Sequence, residues 1–258
     1  MKDALHAEWT KLRTVASTAW LLLAAIALTI ALSAGASSAV SYSSTGSVVD
    51  TTKLALTGIS LGQAVIAILA VEAISGEYRT GMVGMSLAAV PRRATMLAAK
   101  AAIVSVVTLA AGAIATLGSV LAGRLILPAN GFTAAHGYTL LTMADGSTLR
   151  ATVGSVLYLA LIALFSLGIA AAVRDGATAI GVVLGLLFLF PIVAVLAPDP
   201  DWQRRLQQLG PMTAGLNVQV TTDVHELPIG PWAGLGVLAL WAAAALAAGA
   251  VLLRLRDA

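Results

Sequence analysis

Residues 151–197 read ATVGSVLYLALIALFSLGIAAAVRDGATAIGVVLGLLFLFPIVAVLA, and this stretch decides the fold. It holds two apolar runs, Ala151–Val173 and Ala177–Ala197, parted only by Arg174-Asp175-Gly176. Neither run contains Asp, Glu, Lys or Arg. A hydrocarbon core about 30 Å thick is crossed by about 20 apolar residues in helix, so each run suffices for one passage. Barrel strands alternate in polarity over about 10 residues, which continuous runs of this length do not. Ala, Leu and Ile dominate, and a helix satisfies its own backbone hydrogen bonds inside lipid. The stretch therefore reads as a helical hairpin in a membrane.

Four further runs extend the pattern to six: Ala19–Ser38, Leu54–Ser75, Ala101–Gly123 and Trp232–Leu253. Only Glu72, near one end of the second, brings a charge into any of the six. Composition agrees. Of 258 residues 59% are apolar and 10% charged, against roughly 25% charged in soluble domains. The expected architecture is all-α and polytopic, one transmembrane domain over residues 1–258 without a soluble domain or linker. The chain has no cysteine, so neither disulfides nor thiolate ligands enter the argument. A cleaved signal peptide is the competing reading of the first run, with Lys2, Lys11 and Arg13 as its basic region. Its apolar core exceeds the usual 7–15 residues, which argues for a retained span.

Six spans put both termini on one side. Lys2, Lys11, Arg13, Arg79, Arg92, Arg93, Lys100, Arg174, Arg254 and Arg256 share that side; Lys53, Arg124, Arg150, Arg204 and Arg205 share the other. The excess of basic residues places both termini in the cytoplasm of a cell membrane. The outer loops are then Ala39–Lys53, Arg124–Arg150 and Pro198–Pro231, and the inner ones Gly76–Lys100 and Arg174–Gly176.

Three polar segments carry patterns. In the N-terminal KDALHAEWTKLRT, Leu5, Trp9 and Leu12 fall on one helical stripe, with Lys2, His6, Lys11 and Arg13 off it. This suits an amphipathic helix lying at the membrane surface, or equally a basic anchor for the first span. The inner loop GEYRTGMVGMSLAAVPRRATMLAAK leaves room for a short helix between Arg79 and Val90, ended by Pro91, with Gly76, Gly81 and Gly84 lowering helix propensity. It reads as an ordinary basic connection or as a docking surface. In the third outer loop, Asp199 can cap a helix with Pro200 in its first turn, and Gly210-Pro211 stops it. Trp202, Leu206 and Leu209 form its apolar stripe, suited to the outer membrane surface or to a lid between spans.

Catalytic and metal-binding residues are not found. His6, His136 and His225 lie outside the spans, and no His-x-x-x-His pair or carboxylate cluster has metal-ligand spacing. Glu72 is the one carboxylate near membrane depth, where a boundary group paired with Arg79 or another base is the simpler reading. Ser155, within the fourth span, has no histidine at that depth to act as base. No P-loop occurs, so uphill transport would need another polypeptide as its engine.

Residue patterns add a resemblance. AEWTKLRT running into the first span, ISGEYRTGMVGMSLAAVPRRATMLAAK after the second, and the closing LRLRDA together resemble the membrane subunits of ATP-binding-cassette exporters, the small six-span type-2 permease family common in actinobacteria. Met82 departs from the small or β-branched residue frequent in relatives after the glycine of YRTG. The resemblance implies that two such subunits, here a homodimer, form the pathway in the bilayer. It also implies a separate cytoplasmic ATPase subunit, which would hold ATP and Mg; this chain would carry no cofactor and perform no enzymatic step. It further implies a coupling helix between spans two and three, with Glu77, Tyr78, Arg79, Thr80, Gly81, Pro91, Arg92 and Arg93 as matching residues. No nucleic-acid partner is expected. The alternatives are a membrane-embedded lipid-modifying enzyme or a non-transporting scaffold. Apolar spans suit a greasy cargo, but any lipid-facing helix has that composition, so the substrate is not legible.

Overall fold

The computed structural model describes residues 9–10, 16–44, 48–79 and 93–255. Within them the helices are α1 (Ala16–Ala39), α2 (Thr51–Ala55), α3 (Ile59–Arg79), α4 (Arg93–Ile126), α5 (Gly146–Val173), α6 (Gly176–Leu196), α7 (Pro200–Leu209), α8 (Pro211–Leu216) and α9 (Pro231–Leu255). Short 3-10 turns punctuate the longer connections, and no strand occurs among the described residues. Six helices, α1, α3, α4, α5, α6 and α9, are long and apolar enough to cross a membrane. The protein is an all-α, multi-pass membrane protein.

The six expected spans are present, with instructive differences at their ends. The second was expected from Leu54, but the chain turns at Leu56–Gly58 and α3 starts at Ile59. Asp50 caps the short α2 before the turn, accepting from Lys53 N. The turn lets Gly58 press against α1: its N–H donates to Ser33 Oγ at 3.1 Å, and a Cβ there would collide with the Thr29 carbonyl. At the other end α3 continues through Gly76 to Arg79. Glycine costs about 1 kcal/mol inside a helix, and here Ser75 is buried on the same turn and packs beside Gly176. The third span is longest. α4 runs 34 residues from Arg93, so Lys100, expected at the end of a loop, is instead helical and buried, its Nζ donating to Ala73 O at 3.1 Å.

Helix α5 is the hub and packs on α9, α4, α3 and α6; α1 rests on α4 and α3 at one flank. Lipid tails are as apolar as leucine, so helices in a bilayer associate through close packing and polar contacts. The interior shows both. Gly154 lies against Val218, and Gly168 against the backbone of Ala245 and Leu246. Tyr158, Leu159, Ile162, Phe165 and Leu167 of α5 all lie buried in the core.

The bundle has two unlike ends. At the tight-turn end, α5 and α6 are joined by Arg174 and Asp175 alone. Arg174 takes a left-handed conformation (φ 66°) while its N–H bonds to Ala170 O at 2.9 Å, which turns the chain within two residues. The loop-rich end holds the α1–α2, α4–α5 and α6–α9 connections. The last of these does not stay on the surface. After α7, α8 and the following Asn217–Gln219 turn fold inward, with Pro211, Ala214, Gly215, Val218 and Gln219 buried. Gly234 of α9 makes room for the Ala214 carbonyl, and Gly215 lies against the Tyr158 ring.

Candidate functional site

Three places gather polar side chains. The first is inside the bundle. Gln63 on α3 and Tyr158 on α5 are fully buried, and the Tyr158 hydroxyl donates to Gln63 Oε1. The Gln63 amide donates to Ser60 O at 2.8 Å and to Met212 Sδ at 3.1 Å. One turn toward the loop-rich end, Gln219 Nε2 donates to Ser155 Oγ at 3.1 Å. Thr152 Oγ1 donates to Thr148 O at 2.8 Å, and the Thr148 hydroxyl meets that of Thr52 at 3.4 Å. Thr148, Thr152, Ser155 and Tyr158 recur at helical spacing on α5, so one seam of hydroxyls ties α5 to α3, α2 and the inward-folded segment. These groups hold helices together; none of them is charged. Gln63, Tyr158 and Gln219 are neither charged nor histidine, so nothing in their residue type alone marks them as a site. The usable signal was an amide and a phenol inside otherwise apolar helices, each of which requires a partner.

The second place is the tight-turn end. A cleft of about 540 Å³ is lined by Glu72 and Ser75 of α3, Arg174 and Asp175 of the turn, and Ala177 and Ile180 of α6. Asp175 caps α6, accepting from Thr178 N at 2.8 Å. Hydrogen bonds from Thr178 hold its carboxyl below the usual carboxylate range. Glu72, expected beside a base, shares this cleft with Arg174.

Four of the eight expected coupling residues lie in described helices, at the cleft's end of the bundle. Glu77, Tyr78 and Arg79 form the last turn of α3, and Arg93 is the first residue of α4. Thr80, Gly81, Pro91 and Arg92 lie outside the described residues, as do Leu5 and Leu12 of the N-terminal stripe. Trp9 is helical and exposed.

The third place is the loop-rich end. Helix α7 begins and ends where its cap and stop residues place it: Asp199 accepts from Asp201 N, Pro200 opens the first turn, and Gly210 N donates to Leu206 O at 3.0 Å. Of the expected stripe, Leu206 is half-buried while Trp202 and Leu209 are exposed. Gln203, Leu206, Gln207 and Gly210 form the face turned inward. Trp202 carries the Arg205 guanidinium 5.9 Å from its ring centre. Trp241 Nε1 donates to Leu209 O at 2.9 Å, fastening the helix to α9. Nearby, Asp50 receives Thr221 N at 2.6 Å, Thr222 N at 3.1 Å and Thr221 Oγ1 at 2.8 Å. Arg150 Nη2 donates to Val220 O at 2.6 Å. The α1–α2 connection is thereby clasped to the α8–α9 connection.

Among the described residues no three His, Cys, Asp or Glu side chains converge as metal ligands. No protein-family model and no curated protein matches this chain.

Proposed function

We propose that this chain is the membrane subunit of an ATP-driven exporter of the ATP-binding-cassette type, paired as a homodimer in the cell membrane with both termini cytoplasmic. In this reading the tight-turn end faces the cytoplasm, and a separate ATPase carrying ATP and Mg docks there. One observation carries it. Two long spans, α3 and α4, run on as helix to Arg79 and from Arg93, at the end of the bundle that holds the cleft of Glu72, Ser75, Arg174 and Asp175. The connection from α3 to α4 is the longer of the two between spans at its end, the other being a joint of only two residues. The pairing draws support from α6, where Gly181 and Gly185 point outward with nothing within 4 Å, a surface that admits a close helix neighbour.

The test is coupling. Substituting Glu77 and Arg79 by Ala removes two groups able to form charge-assisted hydrogen bonds to a partner. If buried at the contact, their loss weakens docking by about 2–5 kcal/mol. Substrate-stimulated ATP hydrolysis by the complex reconstituted with the separate ATPase subunit should fall, while insertion and folding persist. Equal stimulation and equal transport in wild type and double variant would refute the assignment.

A further inference from the structure

The cavity at the loop-rich end has no part in that reading. It measures about 440 Å³, within the roughly 300–1,000 Å³ typical of small-molecule sites. Three aromatic residues, Tyr42, His136 and Tyr138, share its lining with nine serine and threonine residues and the carboxylate of Asp145. Its apolar lining is the smaller part, and no Lys or Arg belongs to it among the described residues.

The walls are built from several parts of the chain and are pinned. Tyr42 stacks on His136 with ring centres 4.0 Å apart and planes 12° apart. Tyr138 meets Tyr42 and Phe132 edge-on, at 6.2 and 5.0 Å. His136 Nδ1 donates to Gly131 O at 2.7 Å, and Val49 N donates to the Tyr138 hydroxyl at 3.2 Å. Thr221 and Thr222 are held by Asp50. A site fixed before binding loses less entropy when occupied.

The lining selects its ligand. Asp145 stays ionised, with a carboxyl held near pKa 2 by hydrogen bonds from Ser147 and Thr148. Ser147 Oγ, Thr148 N and Thr148 Oγ1 all donate to its Oδ2, and the exposed carboxylate, part of the cavity wall, can accept from a ligand as well. A fixed negative charge without a basic partner disfavours anions. Hydroxyl walls disfavour an acyl chain, since their groups would lose water without return. An organic ammonium ion prefers bare aromatic faces, and Tyr42 already has one face covered by His136. What remains is a ligand whose own groups both donate and accept, as Ser and Thr do, and whose ring offers C–H bonds to aromatic walls.

We propose that this cavity binds a saccharide, with the Asp145 carboxylate and the surrounding hydroxyls meeting its hydroxyl groups. The proposal is independent of any coupling to an ATPase. Its test uses the full chain in phospholipid nanodiscs prepared without maltoside detergents, and saturation-transfer NMR. The probes are glucose, galactose, mannose, N-acetylglucosamine and maltose, with choline as the competing class. At least one sugar should receive saturation transfer. Asp145→Asn keeps a good helix cap and should weaken that sugar about 5–10-fold, the loss expected when a charged acceptor becomes neutral. Thr139→Val, on an exposed wall residue, should weaken it about 3–5-fold. Absence of transfer to every sugar, transfer to choline alone, or sugar binding unmoved by both substitutions would overturn the proposal.

Discussion

Helices α5 and α6 follow one another with two residues between them, and both read as uninterrupted apolar spans. Yet 61% of the apolar stretch of α5 is buried inside the protein, against 22% for α6. The difference lies in what interrupts the aliphatic residues. α5 carries Thr148, Thr152, Ser155, Tyr158 and Ser166, all buried, together with Gly154 and Gly168 at close contacts. α6 carries exposed Val182, Leu189, Ile192 and Val193, and its Gly181 and Gly185 touch nothing. Hydropathy decides that a helix crosses; the position of its polar and small residues decides whether it crosses in the centre or at the lipid.

The strongest way to break this contrast is Gly168→Leu. The new side chain would collide with the backbone of Ala245 and Leu246, forcing α5 and α9 apart. Upward of about 3 kcal/mol of stability should go, the top of the range for overpacked cores. Little monodisperse protein should survive extraction, and a normal melting temperature would show the hub to be looser than drawn. Asp50→Ala should come next, at about 2–3 kcal/mol, because a helix cap and the clasp on Thr221 and Thr222 are lost together. Limited proteolysis within residues 220–230 should accelerate; an unchanged digestion rate would remove the clasp from the account.

Tyr158→Phe is milder. It leaves Gln63 Oε1 without its donor, and polar contacts between membrane helices are worth about 0.6–2 kcal/mol. A lowered melting temperature without loss of secondary structure is expected; no change would mean that another donor replaces the phenol. The effect of acid at Asp145 should be smaller again. Its folded pKa, about 2, lies below the ordinary 3.8, so its contribution is complete above about pH 4 and fades as pH falls towards 2. Its side chain is exposed, so solvent screens the effect. Asn at this position should flatten that part of the stability curve, and a wild-type-like curve would refute the linkage. Smallest is Gly185→Leu on α6, within about 0.5 kcal/mol for the folded subunit. If melting is unchanged but the proposed pairing is lost on size-exclusion chromatography, folding and association have been separated.

The spans were legible because a bilayer imposes length and apolarity on each helix independently of its neighbours. Helix α7 was legible for a similar reason: Asp199-Pro200 and Gly210-Pro211 act within a turn of themselves. The interior partners were not. Gln63 and Tyr158 are 95 residues apart, and Asp50 and Thr221 are 171 apart. A single chain gives no sign of which distant residue satisfies which. The inward fold of Pro211–Gln219 escaped notice because the segment is too short to cross and owes its burial to Gly215 and Gly234. Lys100 was assigned to a loop on charge alone, when the carbonyl of Ala73 allows it to lie buried.

The length of α4 has a geometric consequence. Between Lys100 and Arg124 lie 23 uncharged residues, about 35 Å at 1.5 Å per residue, which already matches a hydrocarbon core. The turns of α4 before Lys100 are therefore surplus to the crossing. Lys100 is level with Ala73 of α3, and α3 continues six residues beyond that, to Arg79. Both helices thus run on about 10 Å past the level of that contact. The ends of α3 and α4 at Arg79 and Arg93 are thus carried beyond the apolar run, as on a mast rather than at the floor of the membrane.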